Sequence, residues 1–190
     1  MAKTPISEGN GGNAANRIVV LTGFMGSGKT STGQALSELL GWKFIDLDSE
    51  IEAHEGVAIR LLFQQRGEAT FREIEHEALL ACLEACVQPT VISLGGGTFV
   101  QPNNADMLRE RRALSVLLET PVEDMLQRCG VGEQADAENP RPLAADATLF
   151  RSLHEERLPY YRDSDITIST AGKSVAEVAS EIAGKLGLKA

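Results

Sequence analysis

The chain has 190 residues, 43% hydrophobic and 24% charged, with 18 Lys and Arg against 27 Asp and Glu for a formal net charge of -9. At roughly 150 residues per domain this predicts one domain, large enough to bury a core without metal or disulfide staples. The acid excess excludes a broad basic face for a nucleic-acid backbone, and no apolar run approaches the ~20 residues of a bilayer span. Small phosphorylated ligands stay open, because they need only a local cluster of donors.

Residues 1–16, MAKTPISEGNGGNAAN, have no apolar core, so they read as a disordered leader rather than a secretory signal, with residues 17–190 as the folded domain. Arg17 to Thr22 (RIVVLT) is a β-branched run ending at glycine and reads as a buried strand. Lys29 to Leu40 carries Ala35, Leu36, Leu39 and Leu40 on one helical face, with Gly41 as its stop. Lys43 to Leu47 is a second strand, and Ser49-Glu-Ile-Glu52 matches a capping box that opens a helix. Val57 to Gln65 is a short helix. Phe71, Ile74, Ala78, Cys82 and Cys86 give a helical stripe through Glu68 to Val87. Thr90 to Leu94 is a third strand, running into Gly95-Gly96-Gly97, and Leu114 to Leu118 is a fourth. Thr120-Pro-Val-Glu123 combines a proline at the first helical position with another capping box. The polar, acidic stretch Gly130 to Asn139 has no periodicity and reads as a solvated loop or a mobile lid. Asp165 to Ser169 is a fifth strand, and Ser174-Val-Ala-Glu177 caps the last helix. Strands alternating with helices predict βαβ units around a parallel sheet.

The three cysteines, Cys82, Cys86 and Cys129, are odd in number and form no CxxC pair, which argues against a zinc site or a secreted framework. They read as plain buried thiols in a reducing cytosol, with Cys82 and Cys86 on one face of a helix.

Gly23-Phe-Met-Gly-Ser-Gly-Lys29-Thr30 matches GxxxxGK[ST] between a predicted strand and a predicted helix, the context that this phosphate-binding motif requires. Its N–H groups would cradle phosphates at a positive helix end, Lys29 would reach the outer phosphates, and the Thr30 hydroxyl would ligate Mg²⁺. The ATP-binding set is then Gly26, Ser27, Gly28, Lys29, Thr30 and Ser31. The expected fold is α/β: a single-domain P-loop NTPase-type αβα sandwich with a five-stranded parallel sheet and, where the polar stretch is a lid rather than a loop, a mobile lid over about residues 129–145. No Asn-Lys-x-Asp base reader, transporter signature, His-Arg-Asp or Asp-Phe-Gly is present, and the strand TVISL ends in Ser93 where a magnesium-side Asp is usual.

Asp46 and Asp48, two apart at the end of the second predicted strand, would face the same way, toward the end of the sheet where ligands bind. Arg72 starts the long amphipathic helix, Arg141 sits between Pro140 and Pro142, and Arg157 precedes Leu158-Pro-Tyr-Tyr161 near a chain reversal. The glycine triplet at 95–97 permits close approach of backbone to a ligand, or makes only a tight turn.

Taken together and in this order, GFMGSGKTSTG, FIDLD, LFQQRGEATFREIE, SLGGGT, NPRPL and ERLPYY resemble the shikimate kinase family, over roughly Ile18 to Leu186. The resemblance implies ATP-dependent phosphorylation of shikimate at its 3-hydroxyl with Mg²⁺. Nothing in the sequence calls for a dimer, so a monomer is expected, and the acid excess and lack of an apolar span give no nucleic-acid or membrane partner. The resemblance also implies that Asp48 binds the ring hydroxyls and orients the attacking one, and that Asp46 holds water on Mg²⁺. Arg72 and Arg157 would grip the substrate carboxylate, Gly95, Gly96 and Gly97 would contact the substrate through backbone, and Phe63 and Phe71 would wall its ring. Arg141 would be the lid arginine near the transferred phosphate, completing a catalytic set with Lys29 and Asp48, and Arg128 would pack on the adenine. Two other readings share the phosphate loop: a gluconate-type or nucleoside monophosphate kinase, and a nucleotide-binding module without transfer activity.

Overall fold

Strand β1 (Ile18–Thr22, IVVLT) is buried at all five positions. A strand without a solvent face needs a neighbour on each edge and a layer on each side. Both are present. β3 (Thr90–Ser93) pairs with one edge and β4 (Leu114–Glu119) with the other, both parallel, and Val20 stands between Ile92 and Ser115. β2 (Lys43–Asp46) and β5 (Ile166–Ser169) complete a five-stranded parallel sheet in the order β2-β3-β1-β4-β5. The computed structural model describes residues 17–131 and 146–188. The expected leader and all but the first three residues of the expected lid, Arg141 included, lie outside the described residues.

The period-2 alternation of the strands sorts the core into two layers. Val19, Leu21, Val91 and Val116 pack with Leu36 of α1 (Lys29–Leu40) and with Val178 and Ile182 of α7 (Val175–Lys185). Val20, Ile92 and Leu117 face the other way. There they meet Ile51 of α2 (Leu47–Glu55), Leu79 of α3 (Ile59–Glu84), Leu108 of α4 (Pro102–Glu110), Met125 of α5 (Val122–Arg128) and Phe150 of α6 (Ala147–Tyr161). The expected sandwich is therefore observed. No helix among the described residues is long and apolar enough to cross a membrane.

Several local expectations are corrected. The helix after β2 opens at Leu47, not Ser49. Asp46 is its N-cap and accepts the Ser49 N–H at 3.2 Å, a stronger capping acceptor than the Ser49 hydroxyl, which lies inside the first turn. Asp46 is consequently the last residue of β2 and Asp48 is helical, so the two acids do not share a strand face. Thr120 does not cap α5, because Pro121 holds that position without a side-chain bond. The Thr120 hydroxyl turns inward, donating to the Ser27 carbonyl at 3.3 Å and meeting Thr170 Oγ1 at 2.7 Å. The two helices expected on either side of residue 67 join end to end as α3 and are separated only by Gly67, at φ 79° and ψ 171°. Arg157 lies in the last part of α6, four residues before the helix ends at Tyr161 and the chain turns into β5.

Candidate active site

The loop from Gly23 to Gly28 leaves β1 at the centre of the sheet, where one chain crossover leads toward β2 and a later one toward β4. Such a switch point opens a crevice at the carboxyl ends of the strands. Gly26 (φ 77°) and Gly28 (φ 89°) take left-handed backbone that a side chain would strain. A Cβ on Gly26 would also stand 2.8 Å from Cys129 Sγ. Gly28 is the N-cap of α1 and has no side chain to cap it, and the first turn carries no acid. Its amide donors are thus open to an anion, with the helix dipole behind them. Ser27 is buried, Thr30 and Ser31 are exposed at the helix start, and Arg128 is exposed beside the loop, donating to the Gly26 carbonyl at 3.2 Å.

Lys29 Nζ bridges the carbonyls of Gly23 at 2.9 Å and Phe24 at 3.0 Å, which holds the ammonium over the loop. Burial pulls its pKa down to about 8, against the raising pull of Asp48 and Asp46. Asp48 responds to burial in the opposite sense. Its carboxyl is pushed up to about 6, with Lys29 opposing the rise and Asp46, Glu75 and Glu52 adding to it. An acid poised there can accept a proton near neutral pH. Thr30 Oγ1 donates to Asp46 Oδ2 at 2.7 Å, so a hydroxyl and a carboxylate stand side by side at the loop. That pair suits Mg²⁺, which takes one or two protein oxygens and fills its shell with phosphate oxygens and water.

The glycine turn after β3 lies on the other side of Asp48. A Cβ at Gly95 would come within 2.6 Å of Asp48 Oδ1, and one at Gly97 within 2.5 Å of Arg72 Nη1. Close approach, not φ, is therefore what these positions require. The Arg72 guanidinium lies against Gly97, with its carbon 5.8 Å and 5.3 Å from the ring centres of Phe63 and Phe71. The two rings are 4.3 Å apart. From α6, Arg157 Nη1 donates to the Gly96 carbonyl at 3.3 Å, and its guanidinium carbon lies 5.9 Å from the Phe24 ring centre. Asp48, Phe63, Phe71, Arg72, the triplet 95–97 and Arg157 thus converge.

Three residues of this cluster escaped that reading. Glu75 is 1% exposed, and its Oε2 accepts from Arg72 Nη1 at 2.8 Å. Burial disfavours the charge of Arg72, yet Glu75 and then Glu68 outweigh that and raise its pKa. Thr98 Oγ1 donates to Glu75 Oε1 at 2.6 Å, and the Tyr161 hydroxyl donates to the Gly96 carbonyl. The sequence offers only a weak signal for Glu75, its spacing of four from Phe71 and Leu79, and it is the structure that buries all three. A carboxylate on a core stripe demands a partner.

A phosphate loop feeding an uncapped helix in a parallel αβα sandwich, with an acid and paired arginines at its mouth, defines a small phosphate-loop kinase. The shikimate kinase family model matches residues 25–186. The chain is 36% identical to the shikimate kinase of Persephonella marina, covering 90% of this chain and 99% of that one. It is 40% identical to that of Geobacter sulfurreducens, covering 88% and 89%. Among solved structures, shikimate kinase from Acinetobacter baumannii in complex with shikimate superposes with a TM-score of 0.80 at 33% identity, covering 91% of this chain and 94% of that one. A gluconokinase from Sinorhizobium meliloti, at 20% identity and a TM-score of 0.57 over 92% of this chain and 98% of that one, shares the fold alone. This chain belongs to the shikimate kinase family.

Proposed function

We propose that the protein transfers the γ-phosphoryl group of ATP to the 3-hydroxyl of shikimate, giving shikimate 3-phosphate and ADP. What carries this reading is the meeting of Asp48, Arg72 and Arg157 at one glycine turn beside the phosphate loop, a set suited to a hydroxylated acid. Arg72 Nε is buried and has no protein acceptor among the described residues. Arg72 and Arg157 hold the substrate carboxylate, Phe63 and Phe71 wall the ring, and the triplet 95–97 contacts it through backbone.

Phosphoryl transfer is mainly positioning and charge neutralisation. The amides of Gly26 to Ser31 hold the phosphates of ATP, Lys29 neutralises the outer ones, and Arg128 packs on the adenine. Asp48 aligns the hydroxyl and takes its proton late, a modest demand when the transition state is loose. Thr30 and, through water, Asp46 would hold Mg²⁺, which supplies charge neutralisation at the phosphate oxygens. Arg141, outside the described residues, is the expected further cation at the transferred group. The same reading makes the enzyme a monomer of the cytoplasm with no nucleic-acid or membrane partner. The net charge of -9 and the buried Cys82 and Cys86 are in keeping with it, whereas Cys129, expected to be buried, is only half-buried beside the phosphate loop.

The direct test is ADP release with shikimate, gluconate and nucleoside monophosphates side by side. Turnover is expected with shikimate alone, and turnover with gluconate but not shikimate would refute the assignment. Arg72→Ala and Arg157→Ala should each weaken shikimate binding by about 2–5 kcal/mol, the cost of losing a buried charge partner. An analogue lacking the carboxylate should be nearly indifferent to both substitutions. Equal losses for both ligands would make these arginines structural.

A further inference from the structure

Behind the arginine clamp runs a buried polar chain that the proposed chemistry does not use. Glu75, Thr98 and Asn104 are 1%, 0% and 1% exposed. Glu75 Oε2 takes the Arg72 hydrogen bond, and Glu75 Oε1 accepts from the Thr98 hydroxyl at 2.6 Å. The Thr98 N–H donates to the Gly95 carbonyl at 3.2 Å, at the start of the glycine turn. The Thr98 carbonyl accepts from Asn104 Nδ2 at 3.1 Å, and Asn104 Oδ1 lies 2.7 Å from His76 Nδ1 on α3. Thr98 therefore spends every polar atom tying three things together: the partner of Arg72, the turn beneath the substrate, and α4.

We infer that Thr98 is a positioning residue for shikimate, orienting the Arg72 guanidinium through Glu75. Thr98 does not itself touch the substrate in this account. A buried carboxylate whose second oxygen loses its donor is left with an unmet acceptor, and it turns to recover a partner. The guanidinium it already holds at 2.8 Å is a donor within reach, so the turn draws Arg72 out of line with the substrate carboxylate. Gly95 sharpens the constraint, because a Cβ there would stand 2.9 Å from Thr98 Oγ1, 3.1 Å from Glu75 Oε1 and 2.6 Å from Asp48 Oδ1. Two carboxylates converge at this point, and the Thr98 hydroxyl is the donor that commits Glu75 to the clamp. The inference rests on the assignment of Arg72 to the substrate carboxylate.

The test compares Thr98→Val, which keeps the shape and loses the hydroxyl, with Thr98→Ser, which keeps the hydroxyl. Thr98→Val should raise the KM for shikimate about tenfold, the scale of one charge-assisted hydrogen bond, with a smaller change in kcat and in the KM for ATP. Thr98→Ser should restore most of the affinity. In an Arg72→Ala background Thr98→Val should add almost nothing, and an analogue lacking the carboxylate should not distinguish the variant from the parent. If valine distorts the fold by circular dichroism, Thr98→Ala against Thr98→Ser gives the same comparison, since both lack the methyl group. An unchanged KM in a folded hydroxyl-free variant, or a full tenfold loss on top of Arg72→Ala, overturns the inference while leaving Arg72 in place. An Arg72→Ala variant that binds shikimate normally overturns the clamp assignment and the inference with it.

Discussion

Asp48→Asn is expected to lower kcat by roughly 10²–10⁴-fold, the range that a positioned general base contributes, while the affinity for ATP changes little. The amide keeps the size of the side chain but cannot accept the proton of the attacking hydroxyl. The pH profile gives an independent reading. With the Asp48 carboxyl at about 6 in the free protein, kcat/KM for shikimate should fall as pH drops below about 6, and this limb should vanish in the Asn variant. Stability should move the other way from activity. The folded-state value stands above the ordinary 3.8, so the folded form binds more protons between these pH values and loses stability as pH rises through them. At neutral pH the full penalty is present. Asp48→Asn removes it, and the unfolding midpoint at pH 7 should rise. Normal turnover together with an unchanged midpoint would place Asp48 outside the site.

Lys29→Ala should cost roughly 10²–10³-fold in kcat, comparable to removing one donor from a developing oxyanion. The ammonium lies over the loop, held by the Gly23 and Phe24 carbonyls, so it is already in place when the phosphates arrive. Burial holds its pKa near 8 in the free protein, and phosphate oxygens would raise it. ATP binding at pH 8 should therefore take up a fraction of a proton, measurable as a buffer-dependent heat in calorimetry. The Ala variant should fold, bind ATP more weakly and lose this uptake. Near-normal turnover in a folded Ala variant would dismiss the phosphate-loop role of Lys29.

Helix starts show where reading the chain succeeded and where it did not. Ser174 caps α7 with the full reciprocal box, as the sequence pattern predicts. The same pattern misled at Ser49 and at Thr120. In the first case Asp46, three residues upstream, is the better acceptor, and in the second the threonine is drawn under the phosphate loop. Helices α4 and α6 were not foreseen. Their capping signals are weak or single, and each is held by a few buried residues, Met107 and Leu108 in one, Phe150 and Tyr161 in the other.

The phosphate loop, the parallel sheet and the family are legible in the chain without a structure, because each is written in local patterns. Glycine dihedrals and strand runs act over a few residues, and the order of the motifs is read along the chain without knowing which of them meet in space. How the residues around the glycine turn come together depends on contacts between distant parts of the chain. Arg157 and Gly96 are 61 positions apart, and Thr98 reaches Glu75 across 23. Burial then decides what such contacts are worth. A carboxylate such as Glu75 looks like an ordinary helix-surface acid in the sequence, and becomes the anchor of an arginine once the fold removes its water.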